Sequence, residues 1–204
     1  RFATFRGRCI YRHYRDDGFN DAGWGCGYRS LQTILSWSGY AHALASSHVP
    51  SVREIQDVLV RLGDKPSAFA GSNAWIGGAF EISLVIDALC SASTRIIHAA
   101  SGRDIPAHMS ALLEHFERFG APGMIGGSTD VYSKTLLGVA LDPADARQSW
   151  LLIADPHLVG TVSPAERRRV LADGWLAWQP LGGLSVASFY NFALPRPAEP
   201  ATSQ

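Results

Sequence analysis

The chain carries no excess charge of either sign. Eighteen of its 204 residues are Lys or Arg and eighteen are Asp or Glu, so the formal net charge is zero. Its only basic cluster is Arg167, Arg168 and Arg169, too little for a phosphate-neutralising surface, and nucleic acid is not an expected partner. No apolar run approaches the ~18 to 20 residues of a membrane helix; stretches such as Trp150 to Ala154 are strand-sized, and no transmembrane segment is expected. Three cysteines, Cys9, Cys26 and Cys90, cannot all pair within one chain, and no Asn-x-Ser/Thr site is present. A reducing, cytoplasmic compartment fits this better than a secretory one. Close Cys or His pairs of the C-x-x-C or H-E-x-x-H kind are missing, so no metal is expected. Neither a G-x-x-x-x-G-K-[ST] loop nor a G-x-G-x-x-G segment after a strand is present, and no cofactor is expected. The first residue is Arg1, which reads as an excised or processed segment whose targeting sequence is out of view.

What is present is enough apolar material for a sizeable core: 47% hydrophobic residues, 10% aromatic and 18% charged. That composition at this length predicts one domain over residues 1–194, followed by a Pro-rich, frayed tail over 195–204, and a monomer. Helical spacing appears in Tyr28, Leu31, Ile34 and Leu35 after Gly23, Gly25 and Gly27, so a helix begins at or beside Cys26. Pro50 and the capping-box pair Ser51 and Glu54 announce a second helix ending before Gly63. Glu81 to Leu89 and the segment opened by Asp104 and Pro106 are two more. After Gly120 the texture changes to short runs rich in Val, Ile, Leu and Trp: 124–125, 135–141, 150–154, 175–178 and 188–194. The runs 135–141 and 150–154 flank a turn with Asp142, Pro143 and Asp145 and read as a hairpin. Ser163, Pro164 and Glu166 start a short exposed helix. The expected class is α+β, with helices from the first half packed on a mainly antiparallel sheet from the second.

Among the cysteines, Cys26 has the most suggestive surroundings. A thiol at a helix N-terminus sits beside unpaired N–H groups and the positive dipole end, which favour thiolate and hence a nucleophile. A small buried residue at a helix start explains the same position. Asp155, Pro156 and His157 change the balance, because they follow directly on the apolar run 150–154. Residues two apart on extended chain face one side, and Pro156 disfavours helix at Asp155, so the carboxylate can hold one imidazole nitrogen. The other nitrogen can take a proton from Cys26, which is triad logic with cysteine in place of serine. An Asp-Pro turn without catalytic meaning is the alternative, and His13 is the rival base.

The segment Gly23-Trp24-Gly25-Cys26-Gly27-Tyr28-Arg29-Ser30-Leu31-Gln32-Thr33 resembles the catalytic-cysteine segment of the ubiquitin-fold-modifier-specific cysteine proteases. Gly71-Ser72, Trp75-Ile76-Gly77, Met124-Ile125-Gly126-Gly127, Leu137-Gly138-Val139, Asp155-Pro156-His157, Gly174-Trp175 and Leu194-Pro195-Arg196-Pro197 resemble the same family in the same order. The resemblance implies a papain-like fold with Cys26 as nucleophile, His157 as general base and acid, and Asp155 orienting the imidazole. It assigns an oxyanion-hole hydroxyl to Tyr14, with Tyr11 as fallback. It also implies a substrate, ubiquitin-fold modifier, cut after its C-terminal glycine in the precursor or in conjugates with other proteins, and an action that is cytoplasmic or at the endoplasmic reticulum surface. Trp24 and Trp75 are expected as walls of a narrow substrate cleft. The chain departs from the family after His157, where Leu158, Val159 and Gly160 replace the usual aromatic and threonine. Proteases of autophagy-type modifiers, with a similar Gly-Trp-Gly-Cys and Asp-Pro-His pairing, are the nearest rival, and a noncatalytic binder of a ubiquitin-like protein is the alternative from another class.

Overall fold

The structure, a computed structural model, describes residues 1–44, 48–128 and 132–197. The elements run β1 (Phe2–Thr4), α1 (Cys26–Leu35), α2 (Val52–Arg61), α3 (Ala79–Cys90), β2 (Ser93–Ala99), α4 (Ile105–Arg118), β3 (Gly123–Gly127), β4 (Ser133–Ala140), β5 (Trp150–Ala154), α5 (Arg167–Ala172), β6 (Leu176–Pro180) and β7 (Tyr190–Arg196). Among the described residues the strands form one sheet in the order β2-β7-β3-β4-β5-β6, with β1 added beside β4, and the named strand pairs are all antiparallel. The expected hairpin is β4 paired with β5.

Alternation along the strands divides the interior into two cores. On β3, Met124 joins the cluster of α1, α2 and α3, while Ile125 joins the cluster of α4. On β7, Ala193 faces the first cluster and Phe192 and Leu194 the second. The sheet is thus a middle layer, with three helices on one face and α4 on the other. Helix α1 is buried over every residue after Cys26, and it encloses the polar side chains of Arg29, Ser30, Gln32 and Thr33 as well as the apolar ones.

The helix signals act through the expected chemistry. In α2, Ser51 N–H donates to Glu54 at 2.7 Å and Glu54 N–H donates to Ser51 Oγ at 3.2 Å, closing the capping box. At α4 the Asp104 carboxylate instead accepts from Ser101 N–H at 2.9 Å, within a tight turn that leads into the helix. Two differences stand out. The sheet draws on the first half as well, through β1 and β2; β2 is a mostly exposed edge strand whose inward residues are only Ile97 and Ala99, so its alternation is weak. Strand β7 continues through Pro195 and Arg196, residues expected in the frayed tail. Past Ala193, β7 has β2 as a neighbour but no longer β3, and a proline there removes no bond to a central strand. Residues 198–204 of that tail lie outside the described residues.

Candidate active site

Cys26 is the first residue of α1 and is partly exposed there. Its glycine neighbours are required by close approach. A Cβ on Gly25 would fall 2.2 Å from the Asp21 carboxylate, and one on Gly27 would fall 2.1 Å from the Ile76 carbonyl oxygen. The loop before the helix is fastened by Arg29, one turn further along α1 and without solvent exposure. Its guanidinium meets Asp21 at 2.6 Å, Asp16 at 2.7 Å and Asp17 twice at 2.8 Å, and reaches Gln32 at 3.1 Å. The hydrogen bond from Arg29 holds Asp17 below the usual carboxylate range. Asp21 also accepts from Arg15 N–H at 3.0 Å, holding Arg15 at a positive φ of 61°, while its carbonyl accepts from Gly25 N–H at 2.8 Å. One buried aspartate therefore ties the residue after Tyr14 to the residue before Cys26.

The other half of the site hangs past the end of β5. Asp155 N–H donates to the Trp175 carbonyl at 2.8 Å, and the Asp155 Oδ1 atom accepts from His157 N–H at 3.0 Å and from His157 Nδ1 at 2.5 Å. That fixes the tautomer: Nε2 is left to face the thiol. The second oxygen, Oδ2, meets Lys134 Nζ of β4 at 2.7 Å. Burial pushes Asp155 up, but the His157 and Lys134 hydrogen bonds prevail and bring it down to about 2. Burial pulls His157 down, but hydrogen bonds to Asp155 and to Cys26 overcome this and push it up to about 9. The imidazole of His157 is thus a hydrogen-bond partner of the Cys26 side chain.

Tyr14 joins the two halves. Its N–H donates to the Pro156 carbonyl at 3.0 Å, its carbonyl accepts from Gly160 N–H at 3.0 Å, and it forms a parallel bridge with Val159. Its ring stands edge-on to His157, with centroids 5.3 Å apart. Its hydroxyl lies within hydrogen-bond reach of both the Cys26 side chain and the Cys26 backbone N–H, and burial, with the Cys26 charge, pushes its pKa up, so it remains a donor. Tyr11, the fallback, is elsewhere: its hydroxyl donates to the Asp155 carbonyl oxygen, a strut beneath the loop rather than a group facing the thiol. The rival base His13 is buried with its ring against Tyr11 and Nδ1 3.3 Å from the Tyr14 carbonyl. Burial raises the other two thiols, Cys9 to about 11 and Cys90 to about 12.

Cys26, His157 and Tyr14 open into a cleft of about 1000 Å³ whose walls include both Trp24 and Trp75. Trp24 is held edge-on between Phe19 and Tyr28, with centroids 5.8 Å from each; Trp75 is 70% exposed. Gly126 lies across from the Gly77 carbonyl oxygen, and a Cβ there would stand 3.2 Å from the Tyr132 carbonyl oxygen. Among the described residues no group of three His, Cys, Asp or Glu is placed to hold a metal ion.

Sequence reasoning overlooked Lys134 and the Arg29 cluster. The hairpin contains the signal for the first, since pairing Thr135 with Ala154 sets Lys134 beside Asp155. For the second the signal is an arginine inside an otherwise buried helix, with Asp16, Asp17 and Asp21 just upstream.

The family model for peptidase family C78 matches residues 1–193. The chain is 40% identical over 197 residues to mouse Ufm1-specific protease 1, covering 96% of this chain and 87% of that protein. It is 40% identical over 201 residues to a Ufm1-specific protease of Caenorhabditis elegans, covering 97% of this chain but 32% of that longer protein. The crystal structure of UfSP from C. elegans superposes with a TM-score of 0.82 at 37% identity, over 98% of this chain and 35% of that one. The fold is the α+β, papain-like class that the resemblance implied.

Proposed function

This chain belongs to peptidase family C78, and from that premise we propose that it is a thiol protease acting on the C-terminal glycine of ubiquitin-fold modifier. The observation that carries the reading is one arrangement: Cys26, His157 on Asp155 and the Tyr14 hydroxyl all meet at the mouth of one cleft.

In the acylation step the Cys26 sulfur attacks the glycine carbonyl carbon, and its proton resides on His157 Nε2. The carbonyl π electrons move onto oxygen, and the oxyanion lies between the Tyr14 hydroxyl and the Cys26 backbone N–H, donors aimed where charge develops. His157 returns the proton to the leaving amine as the C–N bond breaks, leaving a thioester. Water, deprotonated by His157, then attacks that thioester, and the thiol leaves with the proton. Asp155 keeps the imidazole in the tautomer that serves both steps and stabilises the imidazolium.

The substrate follows from the relatives' names and from the cleft. The mouse and worm relatives are called Ufm1-specific proteases, and a passage flanked by Gly77, Gly126 and Gly127 between Trp24 and Trp75 suits an extended tail ending in glycine. Precursors of the modifier and its conjugates on other proteins present the same carbonyl, so both maturation and deconjugation are within reach of this site. The test is cleavage of a modifier precursor beside ubiquitin and an autophagy-type modifier, with Cys26→Ala as control. Scission of the first alone, lost in the variant, supports the proposal. Scission of the autophagy-type modifier transfers the substrate assignment, and binding without scission makes the domain a noncatalytic binder.

A further inference from the structure

Lys134 has no part in the chemistry above, yet its side chain is only 12% exposed and its ammonium lies 2.7 Å from Asp155 Oδ2. Each oxygen of that carboxylate therefore has its own partner: Oδ1 takes both N–H groups of His157, and Oδ2 takes the lysine. Strand β4 supplies the lysine from the residue before Thr135, which pairs with Ala154. Its placement is fixed by the sheet, not by a mobile loop.

We infer that Lys134 is a positioning residue for the catalytic pair: it pins the plane of the Asp155 carboxylate so that Oδ1 points at the imidazole, and its charge opposes protonation of His157. The inference rests on the thiol-protease reading for its kinetic consequence, though not for its geometry. Its logic is electrostatic. An aspartate alone beside histidine favours imidazolium; a second cation on the same carboxylate divides that field, so His157 can lose its proton nearer neutrality. Among the described residues, the other groups facing His157 are Cys26 of α1, Tyr14 of the preceding loop with Asp21 behind it, and the Tyr132 ring at 6.3 Å. Tyr11 faces Asp155 from the same loop. Lys134 is the one cation among these neighbours, and only its removal takes away positive charge.

The test compares Lys134→Met with the parent protein in two ways. First, the imidazole of His157 is titrated by NMR in a Cys26→Ala background, a reading that does not depend on cleavage. Removing the lysine is expected to raise its pKa by about half a unit to one unit. Second, in the active protein, kcat for precursor cleavage near neutral pH is expected to fall about tenfold and the acid limb of kcat/KM to move upward by the same shift, while Lys134→Arg retains the cation and stays within about threefold of the parent. An unchanged His157 titration, or a Lys134→Arg variant as impaired as Lys134→Met, overturns the inference and leaves the lysine a structural ion pair. If Lys134→Met fails to fold, Lys134→Gln carries the same titration. Absence of cleavage by the parent protein counts against the protease reading alone, because the titration still reports on Lys134.

Discussion

On the α1 side of the cleft, Cys26 and Tyr14 are tied together by an ionic cluster in which a fully buried Arg29 holds the buried Asp21, the mostly buried Asp16 and the exposed Asp17. On the sheet side, Asp155 and His157 stand beyond the end of β5, partly exposed, and are held by paired hydrogen bonds and the Lys134 ammonium. The first side is built for position. Its buried cation is compensated within one loop and one helix, which holds the Cys26 thiol and the Tyr14 hydroxyl in place relative to each other. On the proposed mechanism, the second side carries the proton transfers. Its groups have shifted affinities for protons, and water can reach them. Tyr14 belongs to both, through its hydroxyl to Cys26 and through its backbone to Pro156 and Gly160.

The comparison breaks most completely at the sulfur. Cys26→Ala is expected to lower kcat/KM for precursor cleavage by about 10⁴ or more, as loss of a covalent nucleophile does, with an unchanged melting temperature; a residual rate within tenfold of the parent would assign the chemistry elsewhere. Tyr14→Phe keeps the ring against His157 and removes only the hydroxyl. A fall in kcat of about 10² to 10³ with KM little changed is expected, and steady-state kinetics read it.

Arg29→Met attacks position without touching the reacting groups. Leaving three carboxylates around a vacated charge should cost about 3 to 5 kcal/mol in urea unfolding, whereas loss of the partly exposed Arg12–Asp16 pair should cost far less. Trp75→Ala sharpens the contrast at the substrate end. With its ring 70% exposed, the fold should be unaffected while KM for the modifier rises by about tenfold; an equal loss of kcat would mean that Trp75 shapes the reacting centre instead.

A histidine remote from both sides serves as reference. Burial pulls His115 down to about 4; a hydrogen bond to the Ala121 carbonyl opposes this, and the charges of Arg196 and Arg95 add to it. Its folded value lies below the unfolded 6.5, so the neutral form favours the fold. That contribution is full above pH 6.5 and is lost as the pH falls from there toward 4, at up to about 1.4 kcal/mol per pH unit. Unfolding midpoints of His115→Gln between pH 4 and 7 should show a shallower acid slope than those of the parent.

Much of this was legible beforehand because it rests on local rules. Glycines flanking a cysteine before an apolar run, a capping box at Ser51 and Glu54, and an Asp-Pro-His at a strand exit all express themselves within a few residues. The named strands of the second half reappear within a residue or two. The cleft pairing of Trp24 with Trp75 came from the family resemblance rather than from spacing. What stayed hidden depends on contacts distant in sequence. Strand β2 takes its partner from residues nearly a hundred positions later, the Arg29 cluster needs a helix and a loop folded together, and Lys134 acquires meaning only once β4 is in register with β5. Tyr11 and Tyr14 lie three residues apart, and only the bridge to Val159 turns one toward the thiol and leaves the other beneath Asp155.

The central claim is that Cys26 and His157, held by two different kinds of structure, act on one carbonyl at the end of a modifier tail. The most direct measurement is reaction of the protein with ubiquitin-fold modifier bearing a cysteine-reactive electrophile at its C-terminus, followed by peptide mapping of the adduct. The account predicts one adduct, on Cys26, formed much more slowly in His157→Gln. Labelling of Cys9 or Cys90, or an unchanged rate without the imidazole, would contradict it.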